Sequence, residues 1–236
     1  INHFYNHDQS YTMDSEELWK KFKGRETPST VQLDESFCKM VPKGSKVLDF
    51  ACGWGRMAFK LQEYGYDVVG FDINQEAVDN ARKASTRFNS IYKNHVSFDV
   101  ANARDLPYPE ESFDVCLIQA FMTALVDPEH REMVLDESRR VLREDGILYL
   151  ADFGQSWDNP IYRARYLKDF KKTGEMGTFI VTEDGSPESH EIFRAHHYTR
   201  EELMELIKLR FTVEMFKETV FTTYHGNKVK GFVIIA

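Results

Sequence analysis

Two glycines and an aspartate stand at spacings that suit a nucleotide-like ligand. Gly53 and Gly55 follow an apolar, strand-like run, and glycine lets a backbone turn tightly and approach a ligand without a Cβ in the way. The helix predicted to begin at Arg56 would present unpaired N–H groups to an anionic group. Asp72 closes a second apolar run, and its carboxylate could accept hydrogen bonds from both hydroxyls of a ribose.

Asp49, just before this glycine loop, discriminates between two kinds of cofactor. Residues 53–58 match the dinucleotide fingerprint G-x-G-x-x-G/A, so an NAD(P)-binding oxidoreductase is one interpretation. A carboxylate at Asp49 would repel the pyrophosphate of a dinucleotide, because both groups are anions. It would attract the ammonium group of an amino acid. We therefore favour a cofactor with an amino-acid end, and a βαβ turn without any ligand stays an alternative.

The pattern Asp49-x-Ala51-x-Gly53-x-Gly55 resembles the signature of class I methyltransferases that use S-adenosylmethionine (SAM). The similarity covers residues 46–153. It implies an α/β fold with a doubly wound, mostly parallel seven-stranded sheet, and SAM as cofactor with S-adenosylhomocysteine (SAH) as product. The residues expected to bind the cofactor are Asp49, Ala51, Gly53, Gly55, Asp72, Ile73, Asn102, Ala103, Gln119, Tyr11 and Arg25.

Residues 101–107 resemble the loop that holds adenine in this family. An acidic residue there usually accepts a hydrogen bond from the exocyclic amine, and the next backbone N–H serves a ring nitrogen. Asn102 stands at the acidic position, and an amide oxygen could accept the same bond. Asp99 and Asp105 are nearby substitutes if the alignment is shifted.

Composition limits the possible partners. The chain has 236 residues, enough for one α/β domain with a small lid, and its net charge of −8 argues against broad contact with nucleic acid. No run approaches the roughly 18 apolar residues that span a bilayer, and the first residues do not resemble a signal peptide. Three widely spaced cysteines favour free thiols and a cytoplasmic location. We expect no membrane partner, and a monomer or homodimer.

The chain divides into four predicted segments. Residues 1–45 form an N-terminal helical cap, 46–153 the SAM-binding Rossmann-like core, 154–198 an acceptor-site insertion after strand five, and 199–236 the last helix and two strands. The first and third segments are rich in aromatic residues, which suit a pocket for a small, partly apolar molecule. We expect residues 1–40 and 154–198 to form one lid above Gln119 and Phe121. Alternatively, their aromatic residues merely pack the added elements onto the domain.

These expectations together predict a methyltransferase that acts on an O, N or C atom of a small molecule. A non-catalytic SAM-binding protein is the alternative, although it has less need for a second apolar pocket. A base is required if the acceptor must lose a proton; the candidates are His197, His196 and His225. The candidate substrate contacts are Phe121, Trp157, Tyr162, Tyr198 and Tyr224. No clustered pattern of cysteines and histidines suggests a metal, so none is expected.

Local signals also predict element boundaries. Asn74 should cap one helix, and Thr199 with Glu202 forms a capping box that should open another. Asp145-Gly146 is typical of a turn, which should lead into a strand at residues 147–153.

Overall fold

The computed structural model describes residues 15–22, 31–183, 189–223 and 226–236. Four of the expected site residues, Tyr11, Arg25, Tyr224 and His225, lie outside these ranges.

Seven strands form one sheet in the order β3-β2-β1-β4-β5-β9-β8. Their bounds are β1 (Lys46–Phe50), β2 (Asp67–Asp72), β3 (Val96–Val100), β4 (Phe113–Gln119), β5 (Leu142–Phe153), β8 (Met215–Thr222) and β9 (Lys228–Ile235). The first five strands pair in parallel, and β9 lies antiparallel between β5 and β8. The predicted doubly wound α/β fold with a mostly parallel seven-stranded sheet is confirmed.

The apolar runs form central strands because both of their faces are covered. Val47 and Leu48 are fully buried in β1, and they belong to two different core clusters on opposite faces of the sheet. Leu117 of β4 joins the cluster of Val47, and Cys116 joins that of Leu48. A strand buried on both faces reads as a near-continuous apolar run, which made this region predictable.

The helices are α1 (Ser15–Lys21), α2 (Glu35–Met40), α3 (Arg56–Glu63), α4 (Gln75–Ile91), α5 (Pro128–Val141), α6 (Pro160–Thr173) and α7 (Arg200–Lys208), with a 3₁₀ turn at Met122–Ala124. The Asn74 side chain caps α4 by accepting from the Ala77 N–H at 3.0 Å. Thr199 and Glu202 form the predicted capping box at the start of α7. The predicted turn at Asp145-Gly146 is wrong, because both residues lie inside β5.

Residues between β5 and α7 form a separate unit. It consists of α6 and a two-stranded antiparallel sheet of β6 (Thr178–Thr182) and β7 (Glu191–His196). Phe193 of β7 packs against Trp19 of α1, with ring centroids 5.2 Å apart. The unit is therefore in contact with the N-terminal helix.

Among the helices that the structure describes, we find none with the length and apolar character needed to cross a membrane.

Candidate cofactor site

A cavity of about 170 Å³ opens at the carboxyl ends of β1 to β4. The strand order reverses between β1 and β4, and ligands of open α/β sheets bind at such a switch point. Eight of the expected residues line the cavity: Ala51, Gly53, Asp72, Ile73, Asn102, Ala103, Gln119 and Phe121. Asp49 and Gly55 do not line it.

The glycine loop has a left-handed backbone at three positions. The φ angles are 50° at Ala51, 54° at Gly53 and 85° at Gly55, which stands directly before α3. A Cβ on Gly55 would come within 2.6 Å of the Phe98 ring. Gly55 therefore permits the close packing of the loop onto β3, and Gly53 supplies backbone at the cavity surface.

Asp72 fastens this loop to the end of β2. Its Oδ2 accepts from the Gly53 N–H at 2.8 Å, and its Oδ1 accepts from the Asn74 N–H at 2.9 Å. Burial raises the pKa of Asp72, while these N–H groups act in the opposite direction. A carboxylate has about four acceptor positions, so Asp72 can still accept from a ligand hydroxyl besides the N–H groups of Gly53, Asn74 and Ile73.

Asp49 is a buried carboxylate with an unsatisfied oxygen. The residue is 2% exposed, and its Oδ2 has no hydrogen-bond partner among the described residues. Burial raises its pKa to about 7; Arg56 opposes this rise and the neighbouring Asp72 adds to it. A buried unpaired acceptor is uncommon in proteins, and a cationic ligand group nearby would stabilise it. Because Asp49 does not line the cavity, its negative charge would act on such a group through the intervening glycine loop.

Gln119 supplies a second unsatisfied acceptor at the end of the neighbouring strand. Its Nε2 donates to the Val31 carbonyl at 2.6 Å, which leaves Oε1 buried and unpaired within the described parts of the chain. Asp49 and Gln119 belong to adjacent parallel strands, β1 and β4. An acceptor without a donor at the cavity wall, Gln119, and a second one beneath the glycine loop, Asp49, suit an ammonium group.

Helix α1 covers the cavity through Glu16 and Trp19, and Phe22 just after the helix also lines it. The Asn74 Nδ2 donates to the carbonyls of Trp19 at 3.0 Å and Phe22 at 2.9 Å, so the residue that caps α4 also anchors α1. Glu16 forms an ion pair with Arg104, which also lines the cavity. The sequence gives no local signal for these contacts, because they join residues far apart along the chain.

Asp152 positions the loop that follows β4. It is fully buried at the end of β5, and it accepts from the Phe153 N–H at 2.7 Å and the Thr123 N–H at 3.3 Å. Burial raises its pKa to about 7, against the effect of these N–H groups. Ala120, just before the 3₁₀ turn, has a φ of 51°. Sequence reasoning missed Asp152, although an acid within the apolar run of β5 was a visible signal.

His196 and His197 do not reach the cavity, so the expectation that either serves as the base is wrong. His196 is fully buried between Thr178, whose Oγ1 lies 2.7 Å from Nδ1, and Glu202, whose Oε1 lies 2.9 Å from Nε2. His197 is 3% exposed, and its Nδ1 lies 2.7 Å from the Tyr166 hydroxyl. Burial lowers the pKa of His197 to about 3.

The expected substrate contacts from the insertion are also absent from the lining, which corrects the predictions for Trp157, Tyr162 and Tyr198. The Trp157 ring packs on Tyr166, and the Tyr162 ring packs on His197. The Tyr198 hydroxyl donates to the Met122 carbonyl at 2.8 Å. The buried aromatic residues of the insertion, Tyr162, Tyr166 and Phe179, thus pack into the same apolar cluster as Val47 of β1, as the packing alternative expected. The insertion also contacts α1 through Phe193.

A buried ionic cluster lies behind the cavity wall. The Arg131 guanidinium donates to Glu175 at 2.7 Å and to Glu202 at 3.2 Å, and its Nε donates to the carbonyl of Leu125, a lining residue. Burial lowers the pKa of His196, but hydrogen bonds to both carboxylates raise it more. Glu175, His196 and Glu202 lie close enough to hold a metal ion. Because Arg131 contacts the same carboxylates, we interpret the cluster as a charge-balanced network.

Comparisons with known proteins agree with this geometry. A family model described as a methyltransferase domain matches residues 48–150. The crystal structure of a SAM-dependent methyltransferase from Methanosarcina mazei matches with a TM-score of 0.81 and 37% identity, covering 87% of this chain and 97% of that one.

Two curated relatives are enzymes of small-molecule metabolism by name. A ubiquinone/menaquinone biosynthesis C-methyltransferase from Rickettsia prowazekii is 29% identical over 85% of this chain and 78% of its own length. The 27-O-demethylrifamycin SV methyltransferase from Amycolatopsis mediterranei is 29% identical over 65% of this chain, which spans about half of that relative (51%).

The match to the Methanosarcina structure covers nearly the whole of both chains at more than one third identity. The sheet order of the present chain, its glycine loop and Asp72 at the end of β2 agree with what the resemblance implied, and the dinucleotide alternative is set aside. The chain is an enzyme that uses SAM, and it belongs to the class I SAM-dependent methyltransferases.

Proposed function

We propose that this chain transfers the methyl group of SAM to a small, partly apolar molecule, and that the cavity at the ends of β1 to β4 is where it does so. The observation that carries the proposal is the position of Asp72, which lies between two ends of one cavity that differ in their polar groups. Gln119 offers an unpaired acceptor at one end, and Asn102 with Ala103 forms the loop at the other.

The order of the strands supports one orientation of the cofactor. Neighbouring strands lie about 4.8 Å apart, so the ends of β4, β1, β2 and β3 are spread along a line. The amino-acid end would lie by Gln119 and the glycine loop, with Asp49 beneath it. The ribose would lie at Asp72 and the adenine at residues 101–104, beyond β3.

When bound, SAM supplies a methyl group on a sulfonium that is already activated for transfer. The protein must then mainly hold the acceptor in line and keep water out. Trp19 of α1, Phe22 just after it and Phe121 supply apolar surface for that purpose. The names of the two curated relatives include both C- and O-methylation, which supports a small-molecule acceptor without selecting its atom. His225 stays a candidate base.

Calorimetry tests this proposal directly. SAH should bind, whereas NADH and NADPH should not. Asp72→Asn should weaken SAH binding by on the order of 1–3 kcal/mol, because an amide loses charge-assisted bonds to the ribose hydroxyls. Asp67→Asn is the matched control, since Asp67 lies at the opposite end of β2 and accepts from the His95 N–H. Tight NADH binding without any response to SAH would overturn the proposal.

We further propose that the enzyme acts in the cytoplasm, as a monomer or homodimer, on free molecules rather than on nucleic acid. The free thiols of Cys38, Cys52 and Cys116 support a reducing compartment. The net charge of −8 supports the absence of a nucleic-acid partner.

A further inference from the structure

Helix α6 carries an excess of positive charge in an acidic protein. It contains one acidic side chain, Asp169, and five cationic ones: Arg163, Arg165, Lys168, Lys171 and Lys172. The helix therefore has a net charge of +4, whereas the whole chain has a net charge of −8. This separation of charge favours a negatively charged partner at α6.

The five cations of α6 form no ion pair within the described ranges. On α5, by contrast, Arg140 pairs with Glu137 one turn away at 2.7 Å. The single acid of α6, Asp169, is 3% exposed and accepts from the Ile180 N–H at 2.9 Å, so it does not neutralise the outer surface of the helix. The described carboxylates therefore leave the positive charge of α6 unbalanced.

Large apolar side chains are exposed on the same helix. Leu167 is 59% exposed, Ile161 47% and Phe170 43%. Leu167 has a cation one turn away in each direction, Arg163 four residues before it and Lys171 four residues after it. Apolar and cationic side chains thus share one surface, which we call the α6 face: Ile161, Arg163, Leu167, Lys168, Phe170 and Lys171.

The opposite side of α6 fixes this face toward the outside. Tyr162 and Tyr166 are buried, and both rings contact the Phe179 ring of β6, with centroids 5.7 and 5.8 Å apart. The helix cannot turn its exposed apolar residues inward without giving up these contacts.

We propose that the α6 face binds the surface of a membrane that contains anionic lipids. The cations pair with phosphate-bearing headgroups, and Leu167 and Phe170 enter the boundary between headgroups and acyl chains. The expectation of no membrane partner rested on the lack of a run of roughly 18 apolar residues, but a helix that lies on a surface needs no such run. The inference goes beyond the proposed function and does not depend on it, because the α6 face does not line the cofactor cavity.

Nucleic acid and a second copy of the chain fit the α6 face less well. Nucleic acid would pair with the cations but offers no apolar layer for Leu167 and Phe170. A two-fold contact between copies places the same patch on both sides, so it would bring the cations of α6 together.

Co-sedimentation of the full chain with vesicles tests the role of charge. The protein should bind vesicles of phosphatidylcholine mixed with phosphatidylglycerol, should bind less as salt is added, and should bind phosphatidylcholine vesicles weakly. Lys168→Gln with Lys171→Gln should reduce partitioning about 30-fold, because each lysine near an anionic surface contributes roughly a fivefold preference. The matched control is Lys83→Gln with Lys93→Gln, two exposed lysines outside α6.

A second variant tests the apolar part of the face. Leu167→Ser with Phe170→Ser should reduce partitioning about tenfold, since less apolar surface leaves water on binding. Leu209→Ser is the control, because Leu209 is 74% exposed at the end of α7. Urea unfolding should give the wild-type midpoint for every variant, so a loss of binding is not a loss of fold.

Three outcomes would overturn the proposal. One is equal binding to both kinds of vesicle, or binding to neither. Another is tight binding to a DNA duplex that the lysine variant loses and the serine variant keeps, which would assign the face to nucleic acid. The third is a dimer that the serine variant loses, which would assign the face to a second copy. SAH calorimetry decides the proposed function separately, and the variants should bind SAH as the wild type does.

Discussion

Replacing Asp49 with asparagine should stabilise the cofactor-free protein at pH 8 and weaken its binding of SAH. Burial raises the pKa of this carboxyl to about 7, whereas a free aspartate has a value of 3.8. Ionising it in the folded protein therefore costs about 4 kcal/mol, at roughly 1.4 kcal/mol for each unit of pKa. An uncharged amide avoids most of that cost, and only the desolvation of the amide opposes the gain.

The sign of the pH dependence follows from the direction of this pKa change. The folded protein keeps a proton that the unfolded chain loses between about pH 4 and pH 7, so its stability falls as the pH rises through that window. Asp49→Asn should reduce this loss of stability with rising pH. A residual slope should remain, because burial also raises the pKa of Asp152 to about 7. Urea unfolding of the wild type and of Asp49→Asn at pH 5 and pH 8 measures this difference in stability.

The binding experiment with Asp49→Asn should show the opposite effect. At pH 8 the Asp49 carboxylate attracts the SAH ammonium, and its loss should weaken binding by on the order of 1–3 kcal/mol, as for two charges several ångströms apart at a low effective dielectric. At pH 5 wild type and variant should converge, since Asp49 is then protonated. Asp67→Asn again serves as control. Unchanged affinity at pH 8 would contradict a role of Asp49 at the ammonium end.

The sheet and the glycine loop were predictable because their signals are local. The apolar run of β1 needs only its own residues to read as a buried strand. Asn74 and Thr199 cap their helices through bonds that span three residues. The position of Asp72 at the end of β2 followed from the same alternation of strands and helices.

The cover of the cavity was not predictable, because tertiary packing decides it. His196 and His197 have the residue type of a catalytic base. In the structure, however, His196 is paired within the Arg131 cluster, and aromatic rings surround His197. Glu16 belongs to no motif, and two of its partners, Asn102 and Arg104, are more than eighty residues away along the chain. Residue type identified the two histidines as candidates but not Glu16, and only tertiary packing decides what each of them contacts.

Replacing Arg131 with leucine should destabilise the protein by about 3–5 kcal/mol, the range for removing one partner of a buried ion pair. The Arg131 side chain is 3% exposed and serves two carboxylates, Glu175 and Glu202. Without it, His196 is the only cationic side chain among the described residues that contacts both carboxylates. Arg163→Leu is the matched control, since Arg163 is exposed on α6 and has no ion pair within the described ranges.

The pH dependence of the stability of Arg131→Leu shows whether Arg131 stabilises the protein through its charge or through the space it fills. The contribution of His196 is fully present below its unfolded pKa of about 6.5 and is lost as the pH rises through its raised folded pKa. Arg131 opposes that rise, so Arg131→Leu should move the loss of stability to higher pH. Urea unfolding between pH 6 and pH 9 should therefore show the largest deficit of the variant where His196 becomes neutral. A uniform deficit across this range, or one no larger than that of Arg163→Leu, would show that the cluster acts by packing and not by charge.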